Sequence, residues 1–187
     1  MTKDYFFHKS AEISSDSKIG KNSKIWHYSH IYGSSSIGEN CVIGQNVMIG
    51  PDVSIGNGCK IQNNVSLYKG IFIEDNVFCG PSCVFTNIKT PRAFIDRSNE
   101  FIETIVRKGA SIGANATIVC GVELGKYCMV AAGALVTKNV KPYSLVMGAP
   151  SQHIGWVSEA GERLDNNLIC PKTGKLYEEI DGNLYER

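Results

Sequence analysis

Several features that would have pointed to a simple answer are missing from this 187-residue chain. An excess of one charge is missing: 19 Lys and Arg offset 18 Asp and Glu, leaving a net charge of +1. That removes the electrostatic case for nucleic acid or an anionic membrane as partner. No apolar run approaches the roughly 20 residues of a membrane span. Met1-Thr2-Lys3-Asp4-Tyr5 has no signal-peptide core, so the expected location is cytoplasmic. Histidine is scarce, with His8 and His27 followed by His30 and then none before His153. The Cys170-Pro171 pair has no second cysteine pair to complete four metal ligands, so no metal site is expected.

What is present is a period. Ile13, Ile19, Ile25, Ile31, Ile37, Ile43, Ile49, Ile55, Ile61, Leu67 and Ile73 place a large aliphatic at every sixth position. Four residues after each comes a small or medium side chain, from Ser17, Ser23 and Ser29 to Val65, Val77 and Cys83. Gly20, Gly38, Gly44, Gly50 and Gly56 follow the aliphatic directly. Neither a helix nor a simple strand repeats every six residues, so the pattern predicts a solenoid of stacked short strands. Cys41, Cys59, Cys83 and Cys128 fall on the small inward position and Cys79 on the aliphatic one. They read as small buried hydrophobes in a reducing compartment, not as disulfides.

The period fails once. Phe85 takes an aliphatic slot, and the column resumes at Val106, Ile112, Ile118, Leu124, Val130 and Val136, but the step from Phe85 to Val106 is not a multiple of six. A loop over residues 88–105 is expected to leave the solenoid and return, and such loops commonly carry function. Phe6 and Phe7 are expected to cover the open end of the first coil. Residues 151–187 break the pattern and read as a tail ending in a small hairpin, which divides the chain at 150.

The hexads resemble those of the hexapeptide-repeat acyltransferases. That resemblance implies an all-β fold: a left-handed parallel β-helix with one extruded loop and a small C-terminal appendage. Three hexads make one triangular coil there, so residues eighteen apart stack in columns. On that ruler Gln45, Asn46, Gln62, Asn63 and Asn64 cluster outward, and Tyr32, Gly50, Tyr68 and Thr86 run beside Gly33, Pro51, Lys69 and Asn87. Both sets are expected at one corner, where the loop departs, and the amides read as binding residues against the alternative of a stabilising ladder.

Ile43-Gly44-Gln45-Asn46-Val47, Lys60-Ile61-Gln62-Asn63-Asn64-Val65-Ser66, Phe85-Thr86-Asn87, Ile154-Gly155-Trp156 and Cys170-Pro171-x-Thr173-Gly174 narrow the match. Together they resemble the N-acetyltransferases of UDP-2-acetamido-3-amino-2,3-dideoxy-glucuronate, which serve surface polysaccharide or glycan synthesis. The resemblance implies acetyl transfer from acetyl-CoA to the sugar 3-amino group, in a homotrimer with active sites between subunits. It points to Asn87 as the catalytic residue. Arg92 suits the uronate carboxylate or the pyrophosphate because a guanidinium can grip either in bidentate fashion, with Lys69 and Tyr68 nearby. Ala114, Ala131, Ala132 and Gly133 leave room for pantetheine, and Lys138 for a CoA phosphate; Ser151-Gln152 stand where many relatives carry a basic residue.

Histidine is the usual base in such enzymes. His27 and Asn87 lie a little over three coils apart, about 16 Å along the axis at about 4.8 Å per coil. A general base must come within about 3 Å of its proton or act through one water. His27 and His30 are therefore expected outside the chemistry, with His153 less constrained. The zinc-dependent carbonic anhydrases on this fold need histidines late in the repeat, where none occurs. Remaining alternatives are acetyl transfer to a dTDP-3-amino-6-deoxy or UDP-4-amino sugar, or a non-catalytic solenoid scaffold.

Overall fold

A computed structural model describes residues 4–187. Its repeats form a three-walled, left-handed parallel β-helix, and no helix occurs among the described residues. The first wall stacks strands in the order Phe6–Phe7, Lys24–Ile25, Val42–Ile43, Lys60–Ile61, Phe78–Cys79, Ser111–Ile112 and Met129–Val130, then Ser144–Met147 and Gln152–Trp156. The second wall runs from Glu12–Ile13 to Leu135–Val136, and the third from Lys18–Ile19 to Glu123–Leu124. Register is set by the eighteen-residue step: Lys60 pairs with Val42 on one side and Phe78 on the other.

The core is the column foreseen from the period. Ile25, Ile31, Ile43, Ile49, Ile61, Leu67, Ile112, Ile118 and Leu124 are fully buried along the prism axis. The small residue four places on fits the tight space inside a corner. Where it is serine, its hydroxyl is used: Ser23 donates to the Gly38 carbonyl at 2.8 Å and Ser29 to that of Gly44 at 2.7 Å. A buried polar group is tolerated because it is hydrogen-bonded. Corners turn through the left-handed backbone region, with φ between 55° and 63° at Asn22, Asn40, Asn46, Asn64, Asn76 and Asn115 among others. Asparagine accepts that conformation at lower cost than most residues. Gly38 follows its aliphatic because a Cβ there would lie 2.6 Å from the Gly56 backbone of the next coil.

Three expectations need correction. Phe6 and Phe7 do not cover the end; they are the first strand of the first wall, 49% and 39% exposed, with Phe6 edge-on to Trp26 at 5.6 Å. The coil therefore begins before Ile13. The loop ends sooner than 105, because Thr104–Val106 is already a strand paired with Ile71–Ile73. Gln152–Trp156 is not separate from the prism either: it pairs antiparallel with Ser144–Met147 and closes the first wall. Beyond it the expected hairpin forms from Tyr177–Ile180 and Asn183–Glu186, over a second small core of Tyr143, Trp156, Leu164, Cys170, Tyr177 and Leu184. All seven cysteines are free and buried, including Cys120, which the period did not place inward.

Candidate active site

Each hexad supplies one strand and one corner, so residues five or six apart lie on neighbouring corners. The amides and the Tyr68–Lys69 column therefore do not share a corner, contrary to the expectation. Gln45, Asn46, Gln62, Asn63 and Asn64 occupy the corner between the first and second walls. Tyr68, Lys69 and Asn87 occupy the next, between the second and third walls, with the second wall separating the two sets.

At the first corner the coil itself uses part of the amide chemistry. The Asn46 side-chain amide donates to Asn64 Oδ1 at 3.0 Å, and Asn63 Oδ1 accepts the Gln45 backbone N–H at 2.9 Å. Asn46 and Asn64 also hold positive-φ positions. The ladder alternative accounts for these three asparagines. The Gln45 and Gln62 side chains make no hydrogen bond within the described residues. Ala114 and then Ala132 continue the same corner toward the C-terminal end, and a Cβ placed on Gly133 would meet nothing within 4 Å.

The second corner carries a groove of about 240 Å³ that brings together Tyr32, Gly50, Tyr68, Lys69, Asn87 and, from the excursion, Phe101. Asn87 is held on both sides. The Thr86 N–H donates to the Ile118 carbonyl at 3.1 Å, Thr86 Oγ1 accepts the Cys120 N–H at 2.9 Å, and the Asn87 carbonyl accepts the Ile102 N–H at 2.9 Å. The Asn87 side-chain amide has no partner among the described residues. An amide on a fixed backbone, opening on a groove and unspent by the fold, is a preorganised hydrogen-bonding group. Lys69 pairs with Asp52 at 2.8 Å, both about half exposed. Tyr32 stacks on His30 with centroids 4.0 Å apart and planes at 20°.

Arg92 is not brought to this groove. It is exposed on the excursion and its guanidinium donates to the neighbouring Pro91 carbonyl at 3.0 Å. The better-buried cation of the loop is Arg97, paired with Glu100 at 2.7 Å and with its Nε buried and unpartnered. The loop tip leaves Phe94 85% and Ile95 42% exposed. Phe101 and Met48 were not singled out from sequence; Phe101 enters through the path of the loop, which the period does not encode.

None of the four histidines lines the groove. His27 stacks on His8 at 3.6 Å, and His153 Nδ1 lies 2.5 Å from Ser144 Oγ, its pKa lowered first by desolvation. Lys138 lies at the C-terminal end of the prism, in a cavity of about 400 Å³ with Lys141, His153 and Trp156. No cluster of three or more candidate metal ligands occurs among the described residues.

The profile of the bacterial transferase hexapeptide (six repeats) matches residues 16–51, 34–69 and 103–138, on either side of the excursion. Over 85 residues the chain is 45% identical to the dTDP-3-amino-3,6-dideoxy-alpha-D-galactopyranose 3-N-acetyltransferase of Aneurinibacillus thermoaerophilus, covering 44% of each protein. The matched region spans less than half the length of the curated relatives it resembles. A hexapeptide-repeat acetyltransferase of Vibrio cholerae O1 biovar eltor, solved with acetyl coenzyme A, is 25% identical with a TM-score of 0.56, covering 63% of this chain and 68% of that one. A hexapeptide transferase family protein of Anaplasma phagocytophilum shares the fold at 20% identity and a TM-score of 0.57, covering 84% and 86%. The repeats that build this prism before and after the excursion are similar to those of the bacterial transferase hexapeptide family.

Proposed function

We propose that this chain transfers acetyl from acetyl-CoA to the 3-amino group of a nucleotide-linked aminosugar, the UDP-linked 2-acetamido-3-amino-uronic acid, in cytoplasmic synthesis of a surface polysaccharide or glycan. The observation that carries the reading is Asn87: a pinned backbone and an unspent side-chain amide at the neck of the excursion, beside Tyr68 and Lys69. The Aneurinibacillus relative, named for acetylating a 3-amino sugar, supports the position acetylated, and the Vibrio structure with acetyl coenzyme A supports the donor.

The amine nitrogen attacks the thioester carbonyl carbon, and the tetrahedral intermediate expels the CoA thiolate as the C–S bond breaks. The ammonium proton passes to the departing sulfur, so no protein base is required. The Asn87 amide orients the amine or the intermediate, a role of positioning and charge stabilisation. The donor would lie along the second wall, with pantetheine over Ala114, Ala131, Ala132 and Gly133 and a CoA phosphate at Lys138. A homotrimer would cover Phe94 and Ile95, whose exposure on the loop is what a neighbouring prism could bury.

A second reading is a dTDP-linked 3-amino-6-deoxy sugar. It is favoured by the name of the Aneurinibacillus relative and by the position of Arg92, which leaves no guanidinium in the groove for a uronate. A panel of nucleotide aminosugars with acetyl-CoA, read by free-thiol release, tests both. Turnover of the 3-amino uronate and loss with its uncharged analogue supports the first; the reverse supports the second. No thiol release with any aminosugar, and no thermal shift with CoA, would leave a scaffold.

A further inference from the structure

At the first and third corners one main-chain hydrogen bond recurs from coil to coil. The residue three places after the aliphatic donates its N–H to the preceding coil, to the carbonyl of the residue two places after the aliphatic there. At the first corner Asn64 donates to Gln45 at 3.0 Å and Gly133 to Ala114 at 2.8 Å; at the third, Asn40 donates to Lys21 and Gly58 to Glu39, both at 2.8 Å. By that rule Gly121, three places after Ile118, would donate to the carbonyl of Asn87, two places after Phe85. It does not. The returning excursion is inserted between them: the Asn87 carbonyl accepts the Ile102 N–H at 2.9 Å, and the Gly121 N–H donates to the Glu103 carbonyl at 3.1 Å. Gly121 makes room for this at φ 85°, where a Cβ would stand 3.1 Å from Ile102 Cγ2. Beyond the strand ends, where the Thr86 N–H meets the Ile118 carbonyl, one direct hydrogen bond between the two coils remains at this corner among the described residues. The Cys120 N–H donates to Thr86 Oγ1 at 2.9 Å.

We propose that Thr86 is the positioning residue of the site: its hydroxyl oxygen replaces the corner bond that the excursion displaced, and so aims the Asn87 amide. It rests on the reading of Asn87 as the group that meets the amine. Thr86 precedes Asn87 by one peptide unit, so whatever holds Thr86 sets the direction in which the Asn87 side chain leaves the backbone. Without that hold, Asn87 is tied at its far side only by Ile102, a residue of the aperiodic loop. Cys120 is 1% exposed, so its N–H needs an acceptor inside the protein, and Thr86 supplies it. A β-branched side chain has few χ1 choices, which keeps that oxygen in place. Phe85-Thr86-Asn87 then acts as one device. Phe85 is sunk in the core, Thr86 reaches across to the next coil, and Asn87 opens on the groove. A misplacement of about 1 Å at a reacting group costs about a hundredfold in rate, so a bond that never touches substrate can govern turnover.

The test compares the full chain with Thr86→Val, which keeps the shape and loses the acceptor, and with Thr86→Ser, which keeps the oxygen. Acetylation of a nucleotide-linked 3-amino sugar is measured for each, alone and combined with Asn87→Ala. Thr86→Val is expected to lower kcat about tenfold to a hundredfold with KM for both substrates unchanged. Thr86→Ser restores most of that loss. In the Asn87→Ala background Thr86→Val lowers kcat no further, which is the coupling of a residue that acts through another. A second readout needs no turnover. In protein carrying isotopically labelled asparagine, the side-chain amide resonance lost in Asn87→Ala is that of Asn87. It keeps its position in Thr86→Ser and shifts or broadens in Thr86→Val. If circular dichroism shows Thr86→Val unfolded, Thr86→Ala, which leaves room for a water at the Cys120 N–H, takes its place. An Asn87 resonance unmoved by loss of the hydroxyl, or an equal fall in kcat with and without the Asn87 side chain, overturns the positioning role. A moved resonance in a protein that acetylates no aminosugar upholds it, and the proposed reaction alone fails.

Discussion

The Ile102 backbone N–H donates to the Asn87 carbonyl oxygen at 2.9 Å, so the neck of the excursion is tied by the main chain of Asn87 and not by its side chain. Asn87→Ala should therefore keep the fold and lose the chemistry. The expectation is a fall in kcat of about a hundredfold or more, the scale of removing one transition-state hydrogen-bond donor, with an unchanged thermal midpoint. His27→Ala and His30→Ala keep most of the turnover. A folded His27→Ala protein without activity would refute transfer without a histidine base.

The first-corner amides give the opposite prediction. Asn46 is at φ 57° and donates to Asn64. Asn46→Ala loses that bond and the asparagine side chain's tolerance of the left-handed region, costing about 1–2 kcal/mol in urea denaturation, while Asn46→Gly relieves the backbone part. Neither change should move KM for the nucleotide sugar. A rise in KM with unchanged stability would return Asn46 to the binding surface.

Arg107 ties three coils of the third wall, reaching Glu74 at 2.8 Å and Glu123 at 2.8 and 2.9 Å. Its hydrogen bonds hold both carboxyls below the ordinary carboxylate value. A depressed folded-state pKa means that the unfolded chain takes up protons first. The network's contribution is complete above the ordinary carboxylate pKa, about 4.3, and is lost as pH falls below it. The side chains are 38–43% exposed, so solvent screening limits each pair to about 1 kcal/mol or less. Arg107→Gln should flatten the acid limb of the stability profile below about pH 5, and high salt should do so in part. A profile identical to wild type would show that the network is silent.

The seven buried thiols should differ in reactivity. Burial pushes the Cys128 thiol up to about 12 inside the prism. Cys170, bonded to the Ser158 hydroxyl at 3.2 Å, is lowered to about 7 and sits in the smaller tail core. Thiolate is the reactive form, and small satellite cores open more readily. In a timed iodoacetamide reaction at neutral pH, mass mapping should find Cys170 modified before Cys128. Labelling of Cys128 ahead of Cys170 would contradict this.

What was readable from the chain alone followed from its period. A step of six, repeated without slip, specifies which side chains point inward; with three hexads to a coil, as the family resemblance implies, it also gives where each strand pairs and at what height each residue stands. It therefore placed Ile61 in the core, paired it with Ile43 and Cys79, and set His27 far from Asn87 along the axis. It also located the break after Phe85. What it could not convey is what outward side chains do once their neighbours are present. Asn46, Asn63 and Asn64 read as open binding groups, but the adjoining coil uses one side-chain donor or acceptor of each. Arg92 read as a grip for an anion, but an aperiodic loop carries it away from the groove and delivers Phe101 instead. The repeat determines position because its hydrogen bonds and packing recur identically. The excursion, the tail and the spent or unspent state of each polar group depend on contacts that occur once, and only the tertiary structure decides those.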